Sequence, residues 1–94
     1  MAKAIWNGTE LAESDQTIEV DGYTYFPPAS VRKELLKPTA STSTCPWKGT
    51  AKYFSIAVNG DENPDAAWVY ENPKPAASKI KGYIGFWRGV QVKK

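Results

Sequence analysis

The amino-acid sequence predicts a β-rich α+β domain: about seven or eight short antiparallel strands in a curled sheet or partly open barrel, with one or two short helices. Three observations carry this expectation. The dipeptides Asn7-Gly8, Asp21-Gly22 and Asn59-Gly60 are of the kind that close two-residue hairpins, because both central positions there need a positive φ. Apolar residues beside them recur with the period of a strand rather than that of a helix. The length of 94 residues suits one domain, 1–94, with no room for a second independent core.

Lys3 to Trp6 and Thr9 to Ala12 flank Asn7-Gly8 as a first hairpin, and Thr17 to Val20 and Tyr23 to Phe26 flank Asp21-Gly22 as a second. Pro27-Pro28 breaks that pattern. Val31, Leu35 and Leu36 then recur at helical spacing, with Pro28 near a first turn and Pro38 beyond a last one, which predicts a short helix over 28–36. The Ser/Thr-rich run 39–44 is extended and polar and leads into Cys45-Pro46-Trp47-Lys48-Gly49. Tyr53 to Val58 is the most strand-like segment, and the acidic stretch Asp61 to Asp65 reads as a turn. Ala66 to Glu71 is a further strand, Asn72-Pro73-Lys74-Pro75 a loop, and Ala76 to Ile80 one or two helical turns. Tyr83 to Trp87 and Val90 to Val92 close the chain as strands around Arg88-Gly89. The connections are too tight for parallel βαβ crossovers, and no GxGxxG or P-loop spacing occurs.

Composition narrows the chemistry. The chain has no histidine, which excludes Ser-His-Asp and Cys-His catalysis, and with one cysteine the usual zinc sites are excluded too. No metal and no cofactor is expected. A lone Cys45 cannot close an intramolecular disulfide, which suits a reducing compartment. The apolar stretch before Asn7-Gly8 is shorter than the ~7–15 residues of a secretory signal or the ~20 of a membrane span. The expectation is a soluble cytoplasmic protein, monomer or homodimer, with no membrane partner.

Four segments, taken together, are more specific. They are Phe26-Pro27-Pro28 with Val31-Arg32-x-Glu34-Leu35-Leu36; Thr44-Cys45-Pro46-Trp47-Lys48-Gly49-Thr50-Ala51-x-Tyr53; Asn63-Pro64-Asp65-Ala66-Ala67-Trp68-x-Tyr70; and Lys74-Pro75-Ala76-Ala77 with Ile80-x-Gly82-Tyr83-x-x-Phe86-Trp87. In this order and spacing they resemble the DUF427 family of small bacterial domains, from about Lys3 to Val92. The resemblance implies a domain with no assigned reaction, although a nucleotidyltransferase label is sometimes attached to it. Two-metal nucleotidyl transfer needs carboxylates converging on Mg²⁺. The clustered acids here are Asp61, Glu62 and Asp65, in a stretch that reads as a solvated turn.

The Cys-Pro-Trp-Lys-Gly segment is the most informative for function. Pro46 fixes its own φ and pushes Cys45 toward extended geometry, while Gly49 permits a tight turn. Such a loop can present the Trp47 ring beside the Lys48 ammonium; in the plainer reading Trp47 fills core and Lys48 sits in water. Arg32 is a candidate anion fork, or a solvated charge. Tyr53 and Tyr70 carry hydroxyls that can give a pocket a polar rim, while Trp68 and Trp87 read as core. Cys45 becomes a nucleophile if a cation such as Lys48 or Arg32 lowers its pKa, and is otherwise a small buried hydrophobe. Asp65 is a general acid/base or a turn cap.

Charge is uneven along the chain. Residues 1–31 hold five acids and one lysine, and residues 72–94 hold six basic residues and no acid, within a net charge of +2. The leading functional expectation is a pocket for a small anionic or aromatic ligand, lined by Arg32, Trp47, Lys48, Tyr53 and Tyr70. One alternative is a small metal-independent transferase or hydrolase using Lys48, Cys45 or Asp65. A second is a protein or nucleic-acid interaction module built on Lys74, Lys79, Lys81, Arg88, Lys93 and Lys94.

Overall fold

The computed structural model describes residues 1–94. It contains nine strands: β1 (Ala2–Trp6), β2 (Thr9–Ser14), β3 (Ile18–Val20), β4 (Tyr23–Tyr25), β5 (Leu36–Cys45), β6 (Gly49–Val58), β7 (Asp61–Val69), β8 (Ile84–Phe86) and β9 (Gln91–Lys93). They form three antiparallel sheets, ordered β2-β1-β9, β3-β4 and β5-β6-β7-β8. The sheets do not close into a barrel. A single bridge, Phe26 with Ile84, joins the β3–β4 hairpin to the four-stranded sheet, and another, Ala12 with Val31, ties β2 to the connection that leads into β5. The expected turn chemistry holds: Asn7-Gly8, Asp21-Gly22, Asn59-Gly60 and Arg88-Gly89 all have positive φ at both residues.

Three expectations about elements need correction. Residues 28–36 are not an α-helix but two 3₁₀ turns, Pro28–Ser30 and Lys33–Leu35, so helix is confined to lone 3₁₀ turns, Pro75–Ile80 included. A helix so short is marginal by itself, and here the backbone finds better partners across the chain. Val31 bridges Ala12, the Arg32 N–H donates to the Leu11 carbonyl at 2.8 Å, and Leu36 already pairs with Ile56. Val31 and Leu36 are buried as their spacing suggested, but by extended backbone. Second, 39–44 is extended and polar as expected, but it is the middle of a ten-residue edge strand where no strand was assigned. Pro38 sits within it, where an edge strand tolerates a missing N–H. Third, Asp61 to Asp65 is the first half of β7, not a turn, and the strand count rises to nine.

The four-stranded sheet works on both faces. Alternation sends Ala67 and Val69 of β7, Ile56 and Val58 of β6, and Ile84 and Phe86 of β8 into a main core shared with β1, β2 and Phe26. Their neighbours Trp68 and Tyr70, with Ala51, face the opposite way into a second cluster with Val20, Tyr25 and Ile80. A register shift in the β6–β7 ladder leaves Pro64, Asp65 and Ala66 opposite Ser55 alone, and Asp65 takes φ 52° there. Its carboxylate accepts hydrogen bonds from the Thr39 and Ser41 hydroxyls at 2.7 and 2.8 Å.

Those two hydroxyls, Thr39 first, hold the Asp65 carboxyl below the usual carboxylate range. The group therefore adds stability that is complete above that range and is lost as pH falls through the lowered folded value. Asp65→Asn should melt lower than the wild type at neutral pH and converge with it in acid. Melting curves across the acid range that stay parallel would remove this role.

Candidate functional site

On the second face of the sheet lies a cavity of about 130 Å³. Its walls are Tyr53 of β6, Trp68 of β7, Tyr70 just beyond it, Trp87 just beyond β8, Tyr23 and Tyr25 of β4, and Lys48. Trp68 is the central ring. Tyr23, Tyr25 and Trp87 meet it edge-on with centroids at 4.9, 6.0 and 5.9 Å, and Tyr53 lies tilted at 6.5 Å. Its indole N–H donates to the Tyr25 hydroxyl at 3.2 Å. The Trp87 indole donates to the Asp65 backbone carbonyl at 2.6 Å, and the Tyr53 hydroxyl shares a 2.9 Å hydrogen bond with Ser43. Both indole donors are thus turned to protein, which fixes the two rings.

Lys48 is placed by the loop between β5 and β6. Cys45 and Gly49 are paired, and Gly49 takes φ 113°, a conformation that favours glycine. The loop is pinned from the far side: the Lys74 N–H donates to the Lys48 carbonyl at 2.9 Å, and the Lys74 ammonium to the Pro46 carbonyl at 2.6 Å. The lysine side chain turns inward and the residue is buried, while the neighbouring Trp47 is 40% exposed. Its Nζ lies 2.9 Å from Asp21 Oδ2, 5.4 Å from the Trp47 ring centroid and 5.9 Å from that of Tyr70. Burial alone pushes the Lys48 pKa down, but the Asp21 carboxylate, then the Tyr25 and Tyr70 phenol oxygens, more than offset it. The net shift is upward. Lys48 is an ammonium at neutral pH. A nucleophilic lysine must shed that proton, so the site favours charge recognition over amine chemistry. Burial pushes the Tyr70 phenol up as well, with Lys48 opposing, so it stays protonated.

The other expected site residues lie elsewhere. Arg32 is exposed and is not a wall of the cavity. Asp65 is tied to Thr39 and Ser41, and a carboxylate held low is a poor proton donor at neutral pH. Asp61 accepts from Asn7, and Glu62 pairs with Lys37, so the three acids have separate partners rather than a common focus. Cys45 is half-buried beside the loop. The backbone N–H groups of Trp47 and then Lys48 point at its sulfur and lower its pKa, but it does not line the cavity. Of the expected basic face, Lys94 pairs with Glu19 at 2.7 Å, and the Arg88 guanidinium stacks over Trp87 at 4.6 Å.

Of the expected site residues, Tyr53, Tyr70 and Lys48 line this cavity, and Trp47 and Arg32 do not. Tyr23, Tyr25, Trp68, Trp87 and Asp21 were not expected at the site, and Trp68 and Trp87, expected as core, form walls as well as packing. The sequence held the signal: Trp68 and Tyr70 are two apart on one strand, so they share a face, and Tyr23 and Tyr25 do likewise.

The family model described as a domain of unknown function (DUF427) matches residues 1–94, and the chain belongs to that family. No curated protein matches it. No helix in the structure is long and apolar enough to cross a membrane.

Proposed function

We propose that this DUF427-family protein binds a small anion with an aromatic body in the cavity between the β3–β4 hairpin and the four-stranded sheet. One observation carries the reading: the single charged wall group is a buried ammonium, and the polar groups beside it are phenols able to donate. The Tyr25 oxygen already accepts from Trp68, which leaves its own proton for another acceptor. No carboxylate lines the cavity. The rings supply stacking area, and Lys48 supplies a charge-assisted hydrogen bond. Trp47, outside the walls, has its ring centroid 5.4 Å from the ammonium.

The test is a thermal-shift comparison of benzoate and phenyl phosphate with benzylamine and benzyl alcohol. A ligand at about 100 times its Kd adds about 2.7 kcal/mol of stability, an easily resolved rise in midpoint for a domain this small. One of the anions should raise the midpoint most. A larger rise with benzylamine would mean that the rings form a cage for cations, and the reading would fall.

A further inference from the structure

The partner of Lys48 comes from outside the cavity. Asp21 is at the tip of the β3–β4 hairpin, with φ 53°, and its side chain is 53% exposed against 9% for that of Lys48. The hairpin is a sheet of its own, joined to the four-stranded sheet at its base by paired Phe26–Ile84 hydrogen bonds of 2.9 Å. Its tip reaches the body through the Asp21–Lys48 ion pair and the edge-on contact of Tyr23 with Trp68.

Resting on the reading of the cavity as an anion site, we propose that it takes the carboxylate of a single-ring aromatic acid, and that Asp21 is an intramolecular competitor which this ligand displaces from Lys48. The ammonium already accepts a carboxylate as its partner at 2.9 Å. The wall offers one cation, with no arginine fork, which suits a monoanion better than a phosphoryl group. The size limits the ligand to one ring: about 130 Å³ is of the order of the roughly 150 Å³ of an apolar cavity that holds benzene. Asp21 loses little on leaving, because half of it is already in water, whereas a bare Lys48 would be a buried unpaired charge. So buried a charge needs a partner, and in this proposal the ligand carboxylate takes over that role from Asp21.

Isothermal titration of the full chain with benzoate and with phenyl phosphate tests this, comparing the wild type with Asp21→Asn. Asparagine tolerates the left-handed backbone at the tip and removes the charge. The variant should melt lower yet bind benzoate about fivefold or more tightly, the coupling expected of two exclusive partners. Near-UV circular dichroism reports whether the aromatic walls stay assembled; if Asp21→Asn disturbs them, Asp21→Ser serves for the same comparison. Wild-type binding that is unchanged or weaker in the variant would overturn the competitor and leave the anion site standing. Tighter phenyl phosphate than benzoate in both proteins would overturn the carboxylate assignment. Binding of neither anion by either protein would remove the anion site itself.

Discussion

Lys48→Met should lower the affinity for an aromatic carboxylate by roughly 10- to 150-fold, the equivalent of one hydrogen bond to a charged group at about 1.5–3 kcal/mol. It should do so without unfolding the protein. A buried ammonium costs solvation that its ion pair only partly returns, and an apolar side chain of similar length in the same place is often neutral or stabilising. Methionine is unbranched and fills the channel among Trp47, Tyr70 and Tyr25. Asp21, freed at the hairpin tip, returns to water. Titration calorimetry and a melting curve on the same samples therefore separate two roles. Lost binding at an unchanged midpoint makes Lys48 a recognition group. A collapsed midpoint makes the Lys48–Asp21 pair a structural clasp.

The same lysine fixes the pH behaviour of binding. Its folded pKa lies above the ordinary lysine value, so its charge persists through neutral pH and into the alkaline range. Affinity should be level through neutral pH and fall in the alkaline range, where Lys48 and the phenols beside it lose their protons. A fall near neutrality would point to another titrating group.

How much of this could be read in advance follows from which interactions are local. The positive-φ dipeptides are local, and each sits where the sequence puts a turn. The Cys-Pro-Trp-Lys-Gly loop is local too, closed by the Cys45–Gly49 pair, but the plainer reading had its two side chains reversed: Lys48 is buried and Trp47 exposed. The segment 28–36 failed because its spacing is compatible with two structures. The choice was made by β2 and β6, which lie far off in sequence and offer the Leu11 carbonyl and Ile56. Arg32 was picked out by its guanidinium chemistry, and its place outside the cavity walls depends on how the distant strands pack. Asp21 was legible as a turn residue and not as the partner of Lys48, because that pairing spans two sheets.

Gly85 is a signal of a different kind, a glycine inside a strand, which marks close approach of something large. It is the cross-strand partner of Trp68, and a Cβ built on it would meet Trp68 Cζ2 at 2.7 Å and Cε2 at 2.8 Å. The indole cannot retreat, because Tyr23, Tyr25 and Trp87 hold it edge-on from other sides and its N–H is committed to Tyr25. Gly85→Ala should therefore cost about 1–3 kcal/mol by overpacking, with the midpoint falling roughly 4–8 °C for each kcal/mol. Binding should fall with it, since the displaced ring is the central wall. Trp68→Phe removes the atoms in the clash, so adding it to Gly85→Ala should cost less than the two single losses combined, a coupling of about 0.5 kcal/mol or more. Strictly additive losses would place the strain in the β8 backbone instead, and the indole would not be the reason this position lacks a side chain.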